Sequence, residues 1–199
     1  MGKFESQKSE KKRTLQQDIM LYLHDLIYLL AVVIIILLLL FRVVIVSGDS
    51  MNATLVDGDY LLLISNTLYT EPKQGDIIVA SKESFENGEP IIKRVIATEG
   101  QVVDINFVTG VVYVDGEALD EPYTLTPTTT YGGMEFPLEV EEDCVFVMGD
   151  NRNFSRDSRF PEIGLINTHE ILGKALFLMM PGTDHGEQRA DFSRIGALS

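Results

Sequence analysis

Ile91-Ile92-Lys93-Arg94-Val95-Ile96 is the stretch whose reading decides the fold. Its β-branched residues predict a strand, yet a lysine sits within the apolar run. Similar short runs lie on both sides of it. They are Asp76-Ile77-Ile78-Val79-Ala80 and Tyr60-Leu61-Leu62-Leu63-Ile64 before it, then Val102-Val103-Asp104-Ile105, Gly110-Val111-Val112-Tyr113-Val114 and Cys144-Val145-Phe146-Val147-Met148 after it. Turn signals separate them: Asp57-Gly58-Asp59, Lys73-Gln74-Gly75-Asp76, Asn87-Gly88, Thr109-Gly110 and Asp115-Gly116. This pattern predicts a mainly β fold, with barrel and sandwich both open. Residues 120–142 differ, being rich in Thr, Pro and Gly and carrying Tyr123, Tyr131, Met134 and Phe136. They read as an excursion from the main sheet: an ordinary loop, a small cap, or an apolar surface touching lipid.

Before the first run, Leu26 to Phe41 carries no charge, and Val43-Val44-Ile45-Val46 continues the apolar character beyond Arg42. As a helix, Leu26–Val46 would reach about 32 Å, matching a hydrocarbon core of about 30 Å. Arg42, near one end, can extend its charge to the interface. A cleaved signal peptide would have a shorter apolar region. Lys3, Lys8, Lys11, Lys12 and Arg13 precede the span, which predicts a cytoplasmic amino terminus. The expected organisation is a cytoplasmic tail over 1–20, a transmembrane anchor over 21–46 and an extracytoplasmic all-β domain over 47–199. A small cap or insertion is expected at about 104–143.

The 199-residue chain has a formal net charge of -14, although residues 1–20 hold more basic than acidic side chains. An acidic globular part argues against nucleic acid, which needs a basic patch. The single cysteine, Cys144, lies in an apolar run and reads as a small core residue. No Cys/His spacing suggests a zinc site. His24, His169 and His185 are scattered and give no local support for a Ser-His-Asp triad.

Ser50 lies in Ser47-Gly48-Asp49-Ser50-Met51-Asn52-Ala53-Thr54-Leu55, just outside the apolar span. A serine needs a base to become a nucleophile. A desolvated lysine can be that base, because burial disfavours the charged amine. Lys93 on its apolar strand is the candidate. A third segment, Gly149-Asp150-Asn151-Arg152-Asn153-Phe154-Ser155-Arg156-Asp157-Ser158-Arg159, follows a predicted strand and is dense in polar side chains. It reads either as a polar surface loop or as a scaffold in which Ser155 orients the amine and Asp157 pairs with Arg159.

Together these segments resemble the type I signal peptidases, membrane-bound Ser/Lys proteases. The resemblance covers the anchor and nearly all of residues 43–198. Ser50-Met51-Asn52-Ala53-Thr54-Leu55 is similar to the family's serine box, Gly75-Asp76-Ile77-Ile78-Val79 to its middle box and Lys93-Arg94-Val95 to its lysine box. Residues 149–159 match its last box throughout, and Asp191-Phe192-Ser193-Arg194-Ile195-Gly196 is similar to its ending. A single anchor and a short middle insertion look like the Gram-positive form.

The resemblance implies a signal-peptidase/LexA-like all-β catalytic fold after one transmembrane helix. It implies a serine endopeptidase that cleaves signal peptides from exported preproteins. Ser50 would be the nucleophile, neutral Lys93 the base, Ser155 the residue holding Lys93, and Asp157 and Arg159 the braces. The Ser50 N–H would meet the oxyanion. Neither cofactor nor metal is implied. Substrates would have small residues at -1 and -3 of the cut and bind by strand addition. The bilayer and the secretion translocon are the other expected partners.

Four departures stand out: Ala53 in place of proline, Gly48 where some members have a serine donor, Ala97-Thr98-Glu99-Gly100-Gln101, and Phe154 in place of a frequent asparagine. The alternatives are a non-catalytic, membrane-anchored pilus or assembly factor that retains the fold, and a self-cleaving regulator. Such assembly factors typically lose Ser or Lys, and this chain keeps both.

Overall fold

The computed structural model describes residues 15–52, 54–183 and 190–198. The basic residues of the amino-terminal tail, Ala53 and His185 lie outside the described residues. The chain forms two compact units, Met1–Leu39 and Leu40–Ser199.

In the first unit, α1 (Leu15–Leu40) is apolar and exposed around its circumference from Leu26 onward. A helix apolar on all sides requires an apolar environment on all sides. Asp18–Leu40, 23 residues, is long and apolar enough to cross a membrane.

The expected helix to Val46 ends earlier. Phe41–Ile45 is strand β1, paired antiparallel with β2 (Tyr60–Ser65), Val43 opposite Leu62 and Ile45 opposite Tyr60. β-Branching alone does not end the helix, since Val32, Val33 and Ile34–Ile36 are helical. The difference is tertiary: the backbone of 41–45 finds a ladder on β2.

In the second unit, β3 (Ile77–Ser81), β4 (Pro90–Thr98), β9 (Cys144–Met148) and β10 (Ile166–Asn167) continue the main sheet. β11 (Ile171–Met180) lies between β2 and β3, and β12 (Gly196–Ala197) pairs with it. The order is β1-β2-β11-β3-β4-β9-β10. A second sheet holds β5 (Val102–Asn106), β6 (Val111–Val114), β7 (Glu117–Ala118) and β8 (Leu138–Glu139), in the order β7-β6-β5-β8.

Three apolar clusters hold these sheets. One joins Ile78, Phe85, Val95, Val147 and Ile171. Another joins Met51, Leu55, Leu61, Leu63, Val79 and Leu178, so two residues of the Ser50 loop are rooted in it. The third joins Ile96, Phe146 and Met148 of the main sheet to Val103, Ile105, Val112 and Val114 of the second. Phe136 stacks edge-on against Phe107 and Phe146, at 5.8 and 5.9 Å between centroids. This aromatic ring of the excursion therefore serves protein packing rather than lipid contact. Cys144 is half-buried at the margin of the same cluster, and burial pushes its thiol pKa up.

Candidate active site

β4 presents Lys93 opposite Ile78 of β3, with 5% of the residue exposed. Its Nζ lies 2.8 Å from Ser50 Oγ and donates to the Ile92 carbonyl at 3.0 Å. Ser50 comes from the loop after β1, where Met51 and Leu55 are buried at 1% and 0%. Gly48 in that loop has φ +85°, a left-handed conformation that favours glycine, and its N–H donates to Asp57 Oδ1 at 2.9 Å. A serine at Gly48 would thus meet backbone strain.

Gly149 is required for a different reason. A Cβ there would overlap the Ser50 carbonyl oxygen and the Ser155 side chain. The absence of a side chain lets three segments converge. Asn151 N–H donates to the Ser50 carbonyl at 3.0 Å, and Asn151 Nδ2 donates to the Asp49 carbonyl at the same distance.

Asp157 and Arg159 are both fully buried and paired, Nε to Oδ1 at 2.8 Å and Nη2 to Oδ2 at 2.9 Å. Asp157 Oδ2 also accepts from the Gly149 N–H at 3.0 Å. Arg159 donates to the Thr130 and Arg152 carbonyls, at 3.0 and 2.6 Å. These bonds satisfy both buried charges, as burial of an ion pair requires.

The expected bond from Ser155 to the Lys93 amine is not formed. Ser155 Oγ is buried and has no hydrogen-bond partner among the described residues, although it lies beside Gly149 and the Ser50 carbonyl. The Lys93 amine instead reaches toward Ser50 Oγ and the Ile92 carbonyl.

The structure adds three clamps whose pairing no local sequence pattern marks. Arg94 holds Asp150 in a bidentate pair, at 2.9 and 2.8 Å, and Thr54 Oγ1 donates to the same carboxylate at 2.5 Å. This ties β4, the Gly149–Arg159 loop and the Ser50 loop together. The aromatic ring of Tyr123 lies 4.0 Å from the Arg94 guanidinium carbon, and Glu121 pairs with the buried Arg152. Arg194 holds the buried Asp59 at 2.6 Å and donates to the Thr54 carbonyl at 3.3 Å. The sequence signals were the adjacent pairs Lys93-Arg94 and Gly149-Asp150 and the ending Asp191–Gly196, but none names its partner.

A groove of about 820 Å³ opens at Ser50 and Lys93. One wall is Val44–Met51; the other includes Pro90–Lys93, with Val79 and Phe85, and Phe154 and Arg156 also line it. Among the described residues, β1 is an edge strand. β9 joins β4 only from Arg94 onward, so among the described residues no strand covers the far edge of Pro90–Ile92. Two open backbone edges therefore face one slot, which suits an extended peptide. No group of three or more His, Cys, Asp or Glu side chains able to hold a metal is found among the described residues.

The family model described as signal peptidase, peptidase S26, matches residues 19–180. A probable signal peptidase I-1 of Synechocystis sp. is 39% identical over 150 residues, covering 71% of this chain and 72% of its own. A signal peptidase I of Bacillus amyloliquefaciens is 32% identical over 187 residues, covering 87% of this chain and 95% of its own. A crystal structure of a signal peptidase I from Enterococcus faecalis has 28% identity and a TM-score of 0.44, covering 53% of this chain and 97% of that one. From the family match and the first two relatives, the chain belongs to the signal peptidases of the peptidase S26 family.

Proposed function

We propose that Ser50 is the nucleophile and Lys93 the general base of a membrane-anchored serine endopeptidase that cleaves signal peptides from preproteins. The observation that carries this reading is the 2.8 Å separation of Lys93 Nζ and Ser50 Oγ, with the lysine 5% exposed. Burial disfavours the ammonium form, and a neutral amine can accept the Oγ–H proton.

The reaction then runs in two halves. Ser50 Oγ attacks the scissile carbonyl as its proton passes to Lys93 Nζ. The Ser50 N–H donates to the oxyanion. Lys93 returns the proton to the leaving amine, and the acyl group stays on Ser50. Water then gives a proton to Lys93 as it attacks the ester, and Ser50 recovers that proton as the acid leaves. Asp157 and Arg159 brace the loop. Ser155 supports the pair: its buried hydroxyl, unpaired at rest, is available to the lysine amine once the proton has moved. An unpaired buried hydroxyl costs about 1–3 kcal/mol, which gives it a reason to find that partner.

The substrate lies extended between the open edges of β1 and β4. Alternate side chains of an extended chain face one way, so the residues at -1 and -3 both enter the floor. Met51, Val79 and Ile92 line this floor, which favours small residues there. α1 anchors the enzyme in the bilayer, with the amino terminus cytoplasmic and the catalytic unit outside, where the translocon delivers preproteins. The paired Ser50 and Lys93 favour this reading over a non-catalytic assembly factor.

The test uses the full chain in lipid vesicles with a preprotein. Wild type cuts, while Ser50→Ala and Lys93→Ala do not; a Ser50→Ala variant that cuts as well as wild type would end this reading. Activity unchanged well below neutral pH would exclude the lysine base. Protease added to intact cells reads the orientation: a catalytic unit that survives intact contradicts an outside location.

A further inference from the structure

Phe154 is 82% exposed, whereas Arg152, Ser155 and Asp157 around it are at most 3% exposed. Its backbone is nevertheless pinned. Phe154 N–H donates to the Asn151 carbonyl at 2.9 Å, and Asn151 in turn donates to the Ser50 carbonyl. Asn153 Oδ1 accepts from the Thr129 and Thr130 N–H groups at 3.0 and 3.1 Å, and its Nδ2 donates to the Pro127 carbonyl at 3.0 Å. A large apolar side chain is thus held out on a braced loop, and it lines the groove that contains Ser50 and Lys93. Scattered exposed apolar residues are ordinary. This one differs because its loop is fixed and it shares its groove with Ser50 and Lys93. A preorganised contact costs little ordering when a ligand arrives.

Resting on the peptidase reading above, we propose that Phe154 is a specificity-determining residue that covers the substrate side chain at -2. An extended peptide alternates. If -1 and -3 face the floor of Met51, Val79 and Ile92, then -2 faces the opposite rim, where an exposed side chain can meet it. The preferred residue there is apolar, because Phe154 offers an aromatic face and gains by being covered. Lipid is the less favoured occupant. Arg156, two residues on, is 60% exposed at its side chain and pairs with Glu162 at 2.5 Å, and charges resist entry into hydrocarbon.

The experiment compares two preproteins that differ only at -2, Leu against Ser, cut by the full chain in vesicles. For wild type, kcat/KM for Leu exceeds that for Ser by about 3- to 10-fold, the range of a modest apolar contact, and the difference lies in KM. In Phe154→Ser the ratio falls to near one, and Phe154→Leu restores most of it. A ratio that survives in Phe154→Ser overturns the proposal. So does an equal loss on both substrates together with weaker vesicle binding, which would assign Phe154 to lipid. A wild-type ratio of one overturns it while leaving the peptidase reading intact. If wild type cuts neither preprotein, the peptidase reading falls and the assignment of Phe154 falls with it.

Discussion

The two halves of β4 lie on one continuous strand and have different neighbours. From Arg94 to Thr98 the strand is flanked by β9, and Val95, Ile96 and Ala97 are fully buried. From Pro90 to Ile92 it pairs with β3 alone and leaves its other edge to the groove. Lys93 and Arg94 stand at the junction. Strand alternation turns neighbouring side chains to opposite faces. Lys93 meets Ser50, and Arg94 meets Asp150. One strand thus supplies both a fixed frame and an open edge along the groove at Ser50 and Lys93. The change between them takes one residue.

The largest effect should come from the reactive side. Lys93→Met should reduce cleavage by about ten-thousand-fold, the scale seen when one member of a catalytic set is lost. The fold should not suffer. Replacing a buried amine with an apolar side chain of similar size should leave Tm unchanged or raise it by about 2–4 °C. A large fall in Tm would mean that Lys93 belongs to the frame, and the comparison would fail.

The frame side should respond in the opposite sense. Asp150→Ala leaves Arg94 buried at 2% exposure without its carboxylate, and should cost about 3–5 kcal/mol in denaturant unfolding. That is a large part of the roughly 5–15 kcal/mol typical of a domain. A loss of activity with unchanged stability would instead place Asp150 in the chemistry.

Gly149→Ala lies between the two. Its Cβ would overlap the Ser50 carbonyl and Ser155, so the Ser50 loop must shift. A displacement of about 1 Å is worth about 100-fold in rate. The kcat should fall far more than KM rises; unchanged kcat would show that the loop tolerates the extra carbon.

Smaller effects should come from the excursion. Tyr123→Leu removes the ring over Arg94 and should cost about 0.5–2 kcal/mol, read by thermal unfolding. The smallest is a pH effect at Tyr69. Burial, then its 2.7 Å bond to Asp76, pushes this hydroxyl well above its ordinary pKa. The unfolded chain therefore loses the proton first as pH rises past about 10. The stabilisation is complete below that pH and declines above it. Tyr69→Phe should flatten the alkaline limb of a stability–pH curve; an unaltered limb would show that Tyr69 does not contribute.

Legibility in the sequence followed the range of the interactions. β2, β3, β4, β5, β6 and β9 coincide with runs rich in β-branched or apolar residues bounded by turns, which are local signals. β11, which joins β2 to β3, carries a weak local strand signal. Its Leu-Gly-Lys-Ala-Leu-Phe-Leu-Met core is poor in β-branched residues, and its pairing is specified by neighbours more than 90 positions away. β1 is locally indistinguishable from the end of the anchor for the same reason: its apolar residues suit helix or strand, and only β2 decides. The chemistry was readable as types of residue, because a serine and a strand lysine are rare partners. The pairing of Asp59 with Arg194 is not legible in the sequence, since their 135-residue separation carries no local pattern.

The sequence by itself determined the apolar span, the β-rich character, the candidate pair Ser50 and Lys93, and the polar loop over 149–159. Each rests on residue type and short-range periodicity. Only the tertiary structure decided where α1 ends, that Gly149 admits the Ser50 carbonyl, that Arg94 clamps Asp150, and that Ser155 Oγ is left without a partner among the described residues. Those facts depend on which distant backbones meet, and contact across long loops is set by the packing of the whole sheet rather than by any local run.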